Sequence, residues 1–260
     1  MNRSTTRGIL ALTFFVGCID PPPRVEPKIL RVAAASELFE AASKIVAEFE
    51  KRSKGTIKVV VTHRDSKGLA DQIRSGTSFD LFLSTDMSTI DALVKDGLIE
   101  ADSARRFAFG VLVIARSPDA TGEITSIAEL DRPEIKKIAI ADPAQTRSGA
   151  AATEALKSSG VFERIEPKLV RAETTRGTLA LMQTGSADFA FVDESIAAAA
   201  GLEFVIVDPK SYRPIEYGLG VLKRSRNADR GRALASFITS EEGETILAKS
   251  GFSRASGSTH

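Results

Sequence analysis

From Ile29 onward, short apolar runs alternate with stretches in which apolar residues recur every three or four positions. Residues 29–34 form the first run. Leu38, Ala41, Ala42, Ile45, Val46 and Phe49 then fall at i, i+3, i+4, i+7, i+8 and i+11, the stripe of an amphipathic helix. Ser36 stands immediately before that stripe as a natural N-cap. Gly55 closes the unit, and residues 56–61 read as the next strand. A helix over 69–75, a strand over 80–84 and a helix over 89–96 follow, the last stopped by Gly97. Residues 107–114 (FAFGVLVI) predict one long buried strand. A second series gives a strand at 137–140, a helix at 149–159, a strand at 169–171, a helix at 178–183, and strands at 188–192 and 204–207. Residues 217–222 read as a last strand before helices over 229–239 and 242–250.

Repeated strand–helix units predict an α/β fold with mostly parallel sheets flanked by helices. The apolar strands at 107–114 and 217–222 bracket the middle block. They predict two lobes joined by two crossover strands: residues 29–110 with 218–260, and residues 111–217. Ligands in such folds bind beyond the carboxyl ends of strands, where helices begin.

The N-terminus changes the picture of where the protein works. Arg3 and Arg7 precede an apolar core at residues 8–16 (GILALTFFV), far shorter than the ~20 residues of a membrane span. The only cysteine, Cys18, follows directly in Phe15-Val16-Gly17-Cys18. Residues 1–18 therefore read as a signal peptide ending in a lipoprotein box with Cys18 as the lipidated residue, the alternative being an ordinary secretory signal. Residues 19–28 hold a proline-rich tether, extended at about 3.1 Å per residue and so able to hold a domain about 30 Å from a bilayer. The expected location is the periplasm or extracytoplasmic face, with a lipid anchor as the sole membrane contact.

Composition narrows the partners. With 35 basic and 34 acidic residues the net charge is +1, which argues against nucleic acid. Trp is absent and Tyr occurs twice, so a stacking platform for flat ligands is not expected. The histidines are His63 and His260, which leaves no Ser-His-Asp set and no transition-metal ligand set. Neither catalysis nor a cofactor is expected.

Junctions between strand and helix carry small hydroxyl residues at Ala35-Ser36, Asp65-Ser66, Arg147-Ser148-Gly149 and Thr174-Thr175. Each can be a plain N-cap. Together, in a two-lobed fold, they predict main-chain N–H groups, helix dipoles and hydroxyls gathered around an anion. One junction, THRDSKG at residues 62–68, packs His63, Arg64, Asp65 and Lys67 together, as either the rim of an anion pocket or a solvated turn.

The stretches RVAAASELFEAASKIVAEFEKRSKGTIKVVV, GLADQIRSGTSFDLFLSTD, IADPAQTRSGAAATEALKSSGVF and RAETTRGTLALMQTGSADFAFV resemble the periplasmic molybdate-binding proteins of molybdate importers. The resemblance runs from about Ile29 to the C-terminus. It implies a type II periplasmic-binding fold closing on a tetrahedral oxyanion, and an ABC importer permease as partner of a monomeric binding protein.

The same resemblance implies ligand contacts at Ser36, Ser66, Ser148 and Thr175, the last through its backbone N–H. The charged residues Arg64, Lys67 and Arg147 stand where the family has small or neutral ones, and Asp193 stands where the family has a ligand-binding tyrosine. A buried carboxylate repels a bare dianion, so Asp193 is expected to pair with an arginine such as Arg147 or to accept a proton from the ligand. The implied function is an extracytoplasmic solute-binding protein for a molybdate- or tungstate-like oxyanion. The alternatives are a binder of phosphate, arsenate or an organic anion, and a sensor that keeps the fold without transport.

Overall fold

The computed structural model describes residues 27–255. The signal peptide, Cys18, residues 19–26 of the tether and His260 lie outside the described residues. β1 (Lys28–Ala35) runs into a 3-10 turn, Ser36–Leu38, and then α1 (Phe39–Arg52). β2 (Ile57–Arg64), α2 (Ser66–Arg74), β3 (Leu81–Ser84) and α3 (Met87–Lys95) follow. β4 (Arg105–Gly110) and β5 (Leu112–Arg116) are separated by Val111 alone. The middle of the chain contributes β6 (Ile138–Ala141), α4 (Arg147–Ser158), α5 (Phe162–Ile165), β7 (Leu169–Ala172) and α6 (Thr175–Gln183). It continues with β8 (Phe189–Asp193), α7 (Glu194–Ala199) and β9 (Phe204–Ile206). β10 (Ile215–Val221), α8 (Ala228–Ile238), α9 (Glu241–Ala248) and β11 (Phe252–Arg254) complete the fold.

These strands form two sheets, a six-stranded one ordered β11-β4-β10-β3-β1-β2 and a five-stranded one ordered β7-β6-β8-β5-β9. Both are mixed. The pairs β2-β1-β3 and β7-β6-β8 are parallel, because a helix crosses over between consecutive strands. Strands near the crossing run antiparallel: β10 against β3 and β4, and β5 against β8 and β9. β5 enters its sheet straight from β4 with no helix to turn the chain around.

The expected single strand over 107–114 is corrected here, because it divides at Val111. Gly110 pairs with Ile215 and Phe252 in the first sheet, while Leu112 pairs with Asp193 in the second. The Val111 carbonyl between them accepts from the Glu194 N–H at 2.8 Å. Hydropathy could not reveal the break, since Phe107, Ala108 and residues 112–115 are all buried.

Ser36 is also corrected as an N-cap. It opens a 3-10 turn, and neither that turn nor α1 receives a side-chain cap bond. The stripe after it behaves as expected, burying Ala41, Ala42, Ile45 and Phe49. Such burial stabilises by about 1.5–3 kcal/mol for each large apolar side chain. Elsewhere the caps fall one or two residues before Ser66, Ser148 and Thr175. Asp65 accepts from the Gly68 N–H at 2.7 Å, Thr146 from Gly149 at 3.0 Å and Thr174 from Gly177 at 3.1 Å. Ser66, Ser148 and Thr175 are thereby left inside the first turns of α2, α4 and α6, with their hydroxyls free of capping duty.

Candidate functional site

Asp193 closes β8 and is buried at 1% exposure. The Ser148 hydroxyl donates to its Oδ2 at 2.5 Å, and the Tyr217 hydroxyl donates to its Oδ1 at 3.4 Å. The Thr175 hydroxyl donates in turn to Ser148 Oγ at 3.4 Å. This cluster joins both sheets, since Tyr217 belongs to β10 of the six-stranded one. Gly110 at the end of β4 leaves the space it needs. A Cβ there would stand 2.9 Å from Tyr217 Cε2 and 3.0 Å from Asp193 Oδ1.

Burial lifts the Asp193 carboxyl to about 6, with the Ser148 and Tyr217 hydroxyls pulling the other way. Burial and the neighbouring carboxylates of Asp193 and Glu37 push the Tyr217 phenol well up. Tyr217 is therefore a neutral donor across the physiological range.

Glu37 is a second carboxylate that the sequence reading did not single out. It sits in the 3-10 turn after β1, and its Oε2 is buried without a hydrogen-bond partner. Burial, and then the charge of Asp193, raise it to about 7; its own backbone N–H, Arg176 and the Thr175 hydroxyl oppose them. Proton counting explains the conflict. Ser148 gives its hydroxyl proton to Asp193, and Thr175 gives its own to Ser148. The single Thr175 hydroxyl proton is therefore contested between Ser148 Oγ and Glu37.

Arg176 spans the gap between the sheets. It lies in the first turn of α6, and its Nε donates to the Ser36 carbonyl at 3.1 Å. Its guanidinium carbon stands 5.7 Å from the Phe39 ring centroid, and Phe39 in turn packs against His63 at 4.9 Å between centroids. Burial holds His63 below its ordinary value, and Arg176 adds to that. His63 Nδ1 is buried without a partner.

The structure sorts the expected site residues into groups. Ser148, Thr175 and Asp193 meet in one hydrogen-bonded cluster. Ser36 joins through its carbonyl, by way of Arg176. Ser66 is buried at the tip of β3, sharing a 3.0 Å hydrogen bond with the Thr85 hydroxyl and accepting from the Thr85 N–H. The expected Arg147–Asp193 pair is absent: hydroxyls, not an arginine, hold the carboxylate. Arg147 makes no hydrogen bond or ion pair with a described residue, and its charge helps keep Glu154 low. Arg64 is exposed and pairs with Asp65 at 3.4 Å, while Lys67 is exposed. THRDSKG is thus a strand end and a helix cap. Its histidine faces Phe39, and Arg64 and Lys67 stand outside the cluster.

Glu37, Arg176 and Tyr217 are the residues that sequence reasoning missed. Glu37 and Arg176 each directly follow a residue it named, Ser36 and Thr175. A first turn projects successive side chains around its axis, so the neighbours of a junction hydroxyl were the available signal. Tyr217 was read only as a strand residue.

A family model described as bacterial extracellular solute-binding protein matches residues 30–253. The molybdate-binding protein ModA of Escherichia coli (strain K12) is 30% identical over 230 residues, covering 86% of this chain and 88% of its own. ModA of Rhodobacter capsulatus is 29% identical over 247 residues, covering 94% and 95%. Among solved structures, the periplasmic molybdate-binding protein of Azotobacter vinelandii superposes with a TM-score of 0.77 at 21% identity, over 86% of this chain and 98% of that one.

Proposed function

The chain belongs to the bacterial extracellular solute-binding proteins, as a relative of the periplasmic molybdate-binding proteins, and from that premise we propose that it delivers a tetrahedral oxyanion to an ABC importer. The anion is held between two lobes, residues 29–110 with 218–260 and residues 111–217. They close by a hinge at Val111 and the return crossing near residues 213–218. The Tyr212 hydroxyl, accepting from the Leu112 N–H at 3.2 Å, ties the two crossings together.

The observation that carries this reading is the buried meeting of first-turn residues from separate helices. Ser148 of α4 and Thr175 of α6 bond to one another between the sheets, beside a third helix start at Asp193. Each first turn presents unpaired N–H groups and the positive end of a dipole. Ser36 and Ser66 supply further donors from the other lobe, and Arg147 offers a cation with no ion-pair partner among the described residues. Arg64 and Lys67 supply long-range attraction from the surface. Binding changes nothing in the ligand chemically. A lipidated Cys18 anchors the mature monomer at the extracytoplasmic face.

A thermal-shift screen with molybdate, tungstate, sulfate, phosphate and arsenate tests the reading. A ligand that binds only the native state raises the melting temperature. A protein whose melting responds to none of these anions at millimolar concentration is not an oxyanion carrier.

A further inference from the structure

Glu37 and Asp193 approach one another from different sheets, and a site for a bare dianion needs neither. A fully deprotonated tetrahedral anion offers only acceptors and negative charge. It would meet one carboxylate whose oxygens already take hydroxyl protons from Ser148 and Tyr217, and a second whose buried Oε2 has no donor at all. The groups that act on this pair are Arg176 on α6, Tyr217 on β10 and Tyr212 before β10. Arg176 is the cation among them, and its Nε is engaged with the Ser36 carbonyl. Its charge remains, but one guanidinium against two carboxylates leaves part of the neutralisation to main-chain N–H groups and protons.

We infer that the cleft selects a tetrahedral oxyanion in a proton-bearing form, whose O–H donates to Glu37 while its bare oxygens take the hydroxyls and helix N-termini. The inference rests on the cleft being an oxyanion site. It names the chemical class within that site: anions of phosphate or arsenate type, which keep a proton near neutral pH, ahead of molybdate, tungstate or sulfate, which do not. The geometry supports it: Glu37 Oε2 is buried with no hydrogen-bond partner, a ligand O–H would supply one to the carboxylate, and an acceptor-only anion could be met there only by a protonated Glu37.

Calorimetric titration of the mature protein with phosphate, arsenate, molybdate, tungstate and sulfate tests this, with Glu37→Gln and Asp193→Asn alongside. Wild type should bind phosphate or arsenate at least about tenfold more tightly than the other three near neutral pH. Glu37→Gln replaces an acceptor by an amide that also donates. It should weaken the proton-bearing anion about tenfold or more and narrow or reverse the preference. Should Glu37→Gln fail to fold, as judged by its melting curve, Glu37→Ala reports the same ratio. A wild type that prefers molybdate, tungstate or sulfate overturns the inference while leaving the oxyanion reading intact. So does a preference that neither substitution at Glu37 nor Asp193→Asn changes. A folded wild type that binds none of the five overturns the oxyanion reading itself.

Discussion

Ser148 and Asp193 lie 45 residues apart in sequence, and their side chains meet at 2.5 Å in the buried space between the sheets. The contact ties the first turn of α4 to the last residue of β8. It fixes the Asp193 carboxylate without a cation and leaves its charge to be balanced by protons. Most of the behaviour expected of this cluster follows from that choice.

The contribution of Glu37 and Asp193 to the stability of the ligand-free protein should fall as pH rises. Glu37 has its carboxyl lifted from 4.5 to about 7, and Asp193 from 3.8 to about 6, so between these values the folded state binds more protons than the unfolded one. Their stabilising contribution is complete at the acid end and lost through the window from about pH 4 to about pH 7. For Glu37 alone this amounts to roughly 3 kcal/mol. Urea unfolding across that range should show the slope, and Glu37→Gln should flatten it. An equal slope in Glu37→Gln would place the titration elsewhere.

Arg176→Ala should loosen the contact between the sheets. Its hydrogen bond to Ser36 is exposed, so the cost to stability should stay below about 1 kcal/mol. The sharper readout is His63. Arg176 helps hold the imidazole low, so its removal should raise the His63 pKa, followed by NMR. Arg147→Ala should leave that titration where it is.

Gly110→Ala should strain the crossing. The added methyl lies 2.9–3.0 Å from Tyr217 Cε2, Asp193 Oδ1 and Ile215 Cγ2, too close for any of them to stay in place. Overpacking of this kind costs about 1–3 kcal/mol, measurable by denaturant unfolding. A variant as stable as wild type would show that the crossing yields easily.

Within THRDSKG, Asp65→Ala should cost about 1 kcal/mol through loss of the α2 cap. Arg64→Ala should change stability by less than about 0.5 kcal/mol, because its pair with Asp65 is exposed. Chemical denaturation of both separates a structural junction from a binding one.

Lipidation of Cys18 predicts that the native precursor yields a protein partitioning into detergent. A Cys18→Ser form should be released or left unprocessed. Stable anchoring takes more than one acyl chain. Recovery of wild type wholly in the soluble periplasmic fraction would remove the anchor from the picture.

The strand–helix alternation was legible because the helices are amphipathic and the strands are buried runs. α1 illustrates this, its stripe at residues 38–49 buried as the spacing predicts. The break at Val111 was invisible because both flanking strands are apolar, and the division is set by pairing partners far away in sequence. Ser148, Thr175 and Asp193 could be found from junction chemistry and resemblance. Glu37 could not, because an acidic residue in a first turn ordinarily points into water and favours the helix dipole. Its burial follows only from the approach of α6 and α7, which pack on that turn from the second sheet's side. Arg64 and Lys67 stand outside the cluster: charge beside a hydroxyl suggests a pocket, yet the strand carries Arg64 to an exposed end.

Gly110 and Ile215 are paired neighbours in one ladder, although the whole five-stranded sheet is threaded between them. That arrangement sets an order of folding. Before the second sheet forms, bringing β10 to β4 requires closing a long flexible loop, whose entropy cost grows with its length. Once β5 to β9 have assembled, residues 111 and 214 are held close together and the loop is effectively short. The β10–β4 pairing is thus favoured by a formed second sheet, and a lesion in β8 should slow the joining of β10 to β4 although it touches neither strand's ladder.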